Sequence, residues 1–302
     1  GKWGTNVQNI PKKLRCLFIA DKDKVLVQVD QSGAEAMIVG YLCVPGNFRT
    51  LFLENIKSHV FVAMRLFPEI WAAELGRSID EFCAAPITQL KSIKGWDELN
   101  EVIKASDDWS ADRRYYFMAK MVCHASNYGM KFPTFRINIL QKSRGAVALE
   151  TKEAKRFLST YHKLFPEINQ WHNETINVLK QTKMLKNLFG YPRTFTGLID
   201  ESMYKEAYAF VPQSTVGCIT NLAFVELQNR QDLLDMGVDV LQNNHDSVLL
   251  QCYEKDVPLV ASEAMKHMNR KLVSPRGEPF QMRSEALVGH NWKEMYEVDS
   301  IV

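Results

Sequence analysis

Two aspartates draw attention by context. Asp30 closes the β-rich run 25–29, and Asp246 lies in the Asn-rich turn 243–246 between the runs 238–242 and 248–253. A carboxylate at the end of an apolar strand is costly unless water, a partner or a cation compensates it. Either residue alone reads as a solvated strand-end carboxylate, the usual state of an aspartate. Taken together they also read as a seat for hard divalent cations, because magnesium takes one or two carboxylates plus substrate phosphates. Two such ions, about 3.5–4 Å apart, can activate an attacking hydroxyl and steady a leaving phosphate.

A basic, aromatic stretch supplies a second candidate. Residues 112–129 read DRRYYFMAKMVCHASNYG. On a helix, Lys120, His124 and Tyr128 line one face, drifting about 40° per step. Arg113 falls only about 20° from Lys120, whereas Arg114 points roughly 120° away. Such a face can neutralise a triphosphate and stack on a base or sugar. It can equally be the solvent face of an ordinary amphipathic helix.

These residues need elements to hold them. The run ending at Asp30 predicts a strand, and residues 34–42 and 58–67 predict helices. Pro68, Pro86 and three tryptophans (Trp71, Trp96, Trp109) break residues 68–110 into short helices and loops. A long helix is expected from about 112 to 128, with Asp107, Asp108 and Asp112 at its positive end and Gly129 as its stop. Residues 151–180 predict two helices split near Pro166, with Thr151, Glu150 and Glu153 forming the amino-terminal cap. A Gly-Tyr-Pro turn marks 184–196 as a hairpin or sharp loop. The apolar period near 3.6 predicts a helix over 214–235. The runs flanking the Asn-rich turn predict a hairpin with Asp246 at its tip. A helix over 256–272 and a strand over 284–288 complete the expected order.

The chain has 302 residues, 46% apolar and 24% charged, with a net charge of +2. Those proportions exclude a disordered chain and a histone-like basic carpet. An enzyme with acidic metal ligands and a basic groove can still sum to nearly zero. No apolar run approaches the about 20 residues that cross a bilayer. The six cysteines are widely spaced, mostly in apolar contexts, and form no CxxC pair. They read as reduced core residues, which sets the expected location as the cytoplasm.

The order of the motifs resembles family A DNA polymerases, the DNA polymerase I-like group. VQVDQSGAE (27–35) is similar to that family's strand-ending DYSQIE motif, the 120–129 segment to its K-x3-[F/Y]-x3-YG fingers helix, and NHDSVLL (244–250) to its HDE hairpin. NVQNIP (6–11), LFGYPR (188–193), VPQST (211–215) and GHNWKEM (289–295) match further family segments in the same order. The resemblance spans nearly the whole chain. It implies an α+β fold in which an antiparallel palm sheet carries the catalytic carboxylates beside a mostly helical fingers subdomain. It divides the chain into palm over 1–58, fingers over 59–200 with an insertion at 68–110, and palm again over 201–302. The thumb and exonuclease domains of the family precede the position where this chain begins, so the chain is expected to be the carboxy-terminal part of a monomeric enzyme.

The resemblance also implies roles. Asp30 and Asp246 are the ligands of two Mg2+ ions, assisted by the Gln31 carbonyl. Lys120 binds the nucleotide phosphates and protonates the pyrophosphate. Arg113, Gln31, Glu35, His124 and Tyr128 complete the dNTP site, with Glu35 as the gate against a 2′-hydroxyl and Tyr128 closing over the templating position. On residues alone Glu35 is equally a first-turn glutamate stabilised by the helix dipole. Asn6, Gln8 and Gln213 touch the primer–template minor groove, whose acceptors occur in every base pair. His245 supports the primer end. The implied activity is template-directed DNA synthesis from dNTPs on a primer.

Several positions depart from the family pattern. The arginine usual one turn before the fingers lysine is Tyr116, with Arg113 as its substitute. The aromatic residue after the lysine is His124, the glutamate after the second catalytic aspartate is Ser247, and a family arginine near the start is Lys2. These departures suit a divergent phage-type branch. Two rival readings are a single-subunit phage-type RNA polymerase, which lacks a gate carboxylate at Glu35, and a non-catalytic DNA-binding remnant, which has no need of Asp30, Lys120 and Asp246 together.

Overall fold

A computed structural model describes residues 10–106 and 114–298. The strand β1 (Lys24–Gln31) leads into helices α1 (Ala34–Leu42), α2 (Asn47–Leu53) and α3 (Ser58–Leu66). The tryptophan-punctuated stretch folds as α4 (Pro68–Leu75), α5 (Asp80–Ala84), a 3-10 turn and α6 (Trp96–Lys104). Then come α7 (Tyr115–Asn127), α8 (Phe132–Lys142), α9 (Thr151–Leu164) and α10 (Pro166–Thr182). A short ribbon of β2 (Met184–Lys186) and β3 (Pro192–Thr194) precedes α11 (Glu201–Gln228) and α12 (Gln231–Asp235). The carboxy-terminal elements are β4 (Asp239–Asn244), β5 (Ser247–Tyr253), α13 (Val257–Met268), β6 (Lys271–Val273), β7 (Pro279–Gln281), β8 (Ser284–Gly289) and β9 (Tyr296–Glu297).

The chain forms two compact units. The first comprises Gly1–Glu35, Lys186–Tyr191 and Val211–Val302; the second comprises Ala36–Leu185 and Pro192–Phe210. The sequence expectation drew its boundaries at 58 and 200, whereas the units divide after Glu35 and Phe210.

The first unit is built on an antiparallel sheet of order β4-β5-β1-β8-β9. β1 is central, so its groups bond on both edges, Asp30 lying opposite Ser247 on one side and Glu285 on the other. Alternation sorts its residues between two faces. Val25, Val27 and Val29 join Val248, Leu250, Cys252, Ala286 and Val288 in a core with Val260, Ala264 and Met268 of α13 and Ala223 and Leu227 of α11. Burying each such aliphatic side chain stabilises by roughly 1.5–3 kcal/mol. The opposite face carries Leu26, Gln28 and Asp30, and is polar where the catalytic candidates stand. Lys24 anchors the start of β1 by an ion pair to Asp239 at 2.6 Å.

The second unit is helical. Helix α7 is its axis, with Phe117, Ala119, Val122, Cys123 and Ala125 among its buried residues. Phe48, Tyr161 and Phe165 pack edge to face nearby, with ring centroids 4.9–6.2 Å apart. Trp71, fully buried, donates its indole N–H to the Ala63 carbonyl at 2.9 Å.

Three expectations are corrected locally. The cap of α9 is Glu150, paired with Glu153 in a capping box, and Thr151 is the first helical residue. The helix expected over 214–235 starts earlier, at Glu201, runs through Pro212 and ends at Gln228, where a break separates it from α12. Residues 271–273 form a strand and not the last turn of a helix.

Candidate active site

The structure brings Asp30 and Asp246 together. β4 and β5 are joined by the two-residue turn His245–Asp246, and the Gln31 N–H donates to the Asp246 carbonyl at 2.9 Å. His245 adopts a left-handed φ of 57°, uncommon outside glycine and asparagine, which lets the turn close in two residues. The Asp246 carboxylate lies within hydrogen-bonding reach of the Asp30 carboxyl. Burial, then the negative charge of Asp246 and that shared hydrogen bond, push Asp30 up to about 7; Glu285 adds to the rise and Arg15 opposes it. Two carboxylates this close cannot both ionise cheaply without a positive charge between or beside them.

The neighbours of Asp30 divide by strand alternation. Gln31 turns its side chain into the core side, where Nε2 donates to Thr220 Oγ1 at 3.0 Å, so its contribution to the site is through the backbone. Glu285, opposite Asp30, accepts a hydrogen bond from Ser32 Oγ at 2.5 Å. Glu35 stands in the first turn of α1, partly buried. Gln213 and His245 are exposed on this unit.

In the second unit, α7 carries the other candidates. Lys120 Nζ sits 4.5 Å from the centroid of the Tyr116 ring, one helical turn back. That aromatic residue, found where the family resemblance leads one to expect an arginine, holds the ammonium by a cation–π contact. His124 and Tyr128 meet edge to face at 5.0 Å, with His124 exposed and Tyr128 buried. Arg114 is tied back to the Ala146 carbonyl at 2.6 Å. Asn6, Gln8 and Arg113, and Lys2, lie outside the described residues.

The sequence offered no signal for three residues that the structure adds. His59, a lone histidine in an apolar run, meets the Tyr116 ring at 5.9 Å. Burial and then the charge of Lys120 push it down to about 4, so it is a neutral imidazole beside a cation. Glu285 is placed opposite Asp30 by the register of β1 and β8, and Arg15 lies on a 3-10 turn ahead of β1 and acts on Asp30 as an opposing charge.

Residues 100–294 match the model of DNA polymerase family A, and the chain belongs to that family. It is 22% identical over 95% of its length to the thermostable DNA polymerase I of Thermus aquaticus. It is also 22% identical to the chloroplastic/mitochondrial DNA polymerase I B of Arabidopsis thaliana and to DNA polymerase I of Helicobacter pylori, again over at least 95% of the chain. The chain spans only about 30% of the length of these curated relatives. Its fold is similar to the POL domain of Pol1 from M. smegmatis, solved in complex with DNA primer-template and dNTP. The TM-score is 0.63 at 18% identity, covering 95% of this chain and 44% of that one.

Proposed function

We propose that this chain is the palm and fingers portion of a DNA-directed DNA polymerase, transferring a nucleotide from a dNTP to a primer 3′-hydroxyl. The observation that carries this reading is the juxtaposed Asp30–Asp246 pair at the end of a strand whose one face is core and whose other is polar.

The donors at this pair suit magnesium. They are hard oxygens, and burial and the neighbouring Asp246 push Asp30 up to about 7, a cost that a cation would relieve. Magnesium takes one or two carboxylates and keeps waters and substrate phosphates as its other ligands. Held there, divalent cations would supply Lewis acidity to the 3′-hydroxyl and to the phosphate under attack. The 3′-hydroxyl releases its proton to solvent and its oxygen bonds to the α-phosphorus while the bond to the bridging pyrophosphate oxygen breaks. Asp30 and Asp246 hold the cation positions. Lys120 binds the β- and γ-phosphates and hands a proton to the departing pyrophosphate, with the neutral His59 as a further donor to those oxygens. Tyr128 stacks at the templating position, and Gln213 and His245 touch the duplex near the primer end. Glu35 excludes a 2′-hydroxyl.

Primer extension by Asp30→Asn and Asp246→Asn proteins tests the assignment. Each should lose extension by at least a thousandfold while primer–template affinity stays within about threefold. A mutant extending at near wild-type rate removes that residue from the metal site.

A further inference from the structure

Arg15 stands on a 3-10 turn, Lys12–Leu17, ahead of β1. Its guanidinium carbon lies 4.3 Å from the centroid of the Trp292 ring. Trp292 is 3% exposed and is fixed on three sides. Its indole N–H donates to Gln28 Oε1 at 2.6 Å, its backbone N–H donates to the Phe18 carbonyl at 2.9 Å, and the Phe18 ring meets it edge-on at 5.8 Å. Ile19 forms a bridge to Asn291, and Ala20 N–H donates to the His290 carbonyl at 3.1 Å. This small ladder fastens the Arg15 turn to the chain that follows β8, and the guanidinium lies over the indole ring.

The position of the stack matters. Trp292 packs on Leu26 and Leu249, and Gln28 and Asp30 follow Leu26 at alternate positions of β1. All of them therefore share the polar face. Arg15 acts on Asp30 as an opposing charge, yet among the described residues it pairs with no carboxylate, and its buried Nε has no hydrogen-bond partner. A guanidinium held flat on an aromatic ring, desolvated at one nitrogen, loses little freedom when it takes an anion through two N–H groups. Phosphate is the anion whose geometry the fork matches.

Resting on the reading that primer–template lies on this face, we infer that Arg15 grips one phosphodiester of the primer strand close to its 3′ end. The contact holds the strand beside Asp30. Trp292 and Gln28 position the guanidinium without touching DNA.

The test walks a neutral methylphosphonate through the last four linkages of the primer. Binding of each duplex to wild-type and Arg15→Gln chains is followed by fluorescence anisotropy at low salt. Arg15→Gln should weaken binding of the all-phosphate duplex about tenfold. It should also flatten the slope of log K against log salt by about 0.9, one phosphate's share. At one linkage the two losses should fail to add, because both remove the same contact. Trp292→Phe, which keeps an aromatic ring, should give a smaller loss of the same pattern. Losses that add at every linkage, with wild-type binding intact, overturn the Arg15 contact and leave the polymerase reading standing. Absence of any wild-type binding to primer–template overturns both.

Discussion

Asp30 and Asp246 form a site whose electrostatics can be measured without catalysis. Unfolded, Asp30 ionises near 3.8; folded, it is held up to about 7 by burial and by Asp246. The folded state therefore keeps a proton that the unfolded state releases between these values. Stability falls as pH rises from about 4 to about 7, and stays reduced above that. Asp30→Asn has no such loss, so in metal-free buffer the mutant should gain melting temperature over wild type at pH 8 and match it near pH 4. Added millimolar Mg2+ should recover the wild-type loss and do nothing for the mutant. Equal melting curves at pH 8 would show that the two carboxylates do not repel. Glu35 is a separate case at the same scale. Glu35→Ala should raise ribonucleotide incorporation relative to deoxyribonucleotide on one template, whereas a simple dipole role predicts an unchanged ratio and a stability loss of about 0.3–1 kcal/mol.

Elements that announce themselves locally were legible before any coordinates. β1 is a β-rich run, β4 and β5 are β-rich runs around an Asn-rich turn, and α9 and α10 part at Pro166, where Phe165 is forced out of the helical region. The helix over 214–235 is expected from its apolar period alone, whereas α11 starts at Glu201 and carries inside it Pro212, which cannot donate to the carbonyl four residues back. Packing of both flanks keeps it continuous here. What surrounds Asp30 was not legible, because Glu285 reaches it through strand register and Arg15 through a turn fastened to residues 290–292, contacts that no local pattern encodes. The same holds for the pairing of α10 with the start of α11. His172 stacks on Tyr208 at 4.0 Å between centroids, and its Nε2 bonds to the Asn127 carbonyl at 2.7 Å. Burial pushes His172 down to about 4. Below its ordinary value of 6.5 the unfolded chain takes a proton that the folded one refuses, so stability drops as pH falls from 6.5 to 4, by roughly 3 kcal/mol at most. His172→Phe should melt lower than wild type at pH 7.5 and show a flatter melting profile on the acid side. A parallel profile would mean that His172 is protonated in the folded state.

The whole molecule divides its chemistry between two units, one holding the carboxylates and the other the lysine face. Lys120→Ala should raise the nucleotide KM by one to two orders of magnitude while leaving primer–template affinity nearly unchanged, whereas Asp30→Asn should act on kcat. Arg114→Ala should alter nucleotide use little, because that side chain is tied to the Ala146 carbonyl. Equal nucleotide KM effects for Lys120 and Arg114 would show that the phosphate face of α7 is misassigned. The central strand of the first unit has a further consequence, for biosynthesis. β1 is made well before both of its neighbours, β5 and β8, which come at least about 200 residues later, the length of a domain. At about 5–20 residues per second, translation leaves β1 unpaired for roughly 10–50 s. The second unit, complete by Phe210, can condense on the ribosome meanwhile. The strand KVLVQVDQ therefore waits as an open, apolar edge until β5 and β8 arrive, and a nascent chain stalled before β8 should bind a holdase chaperone that the finished protein releases.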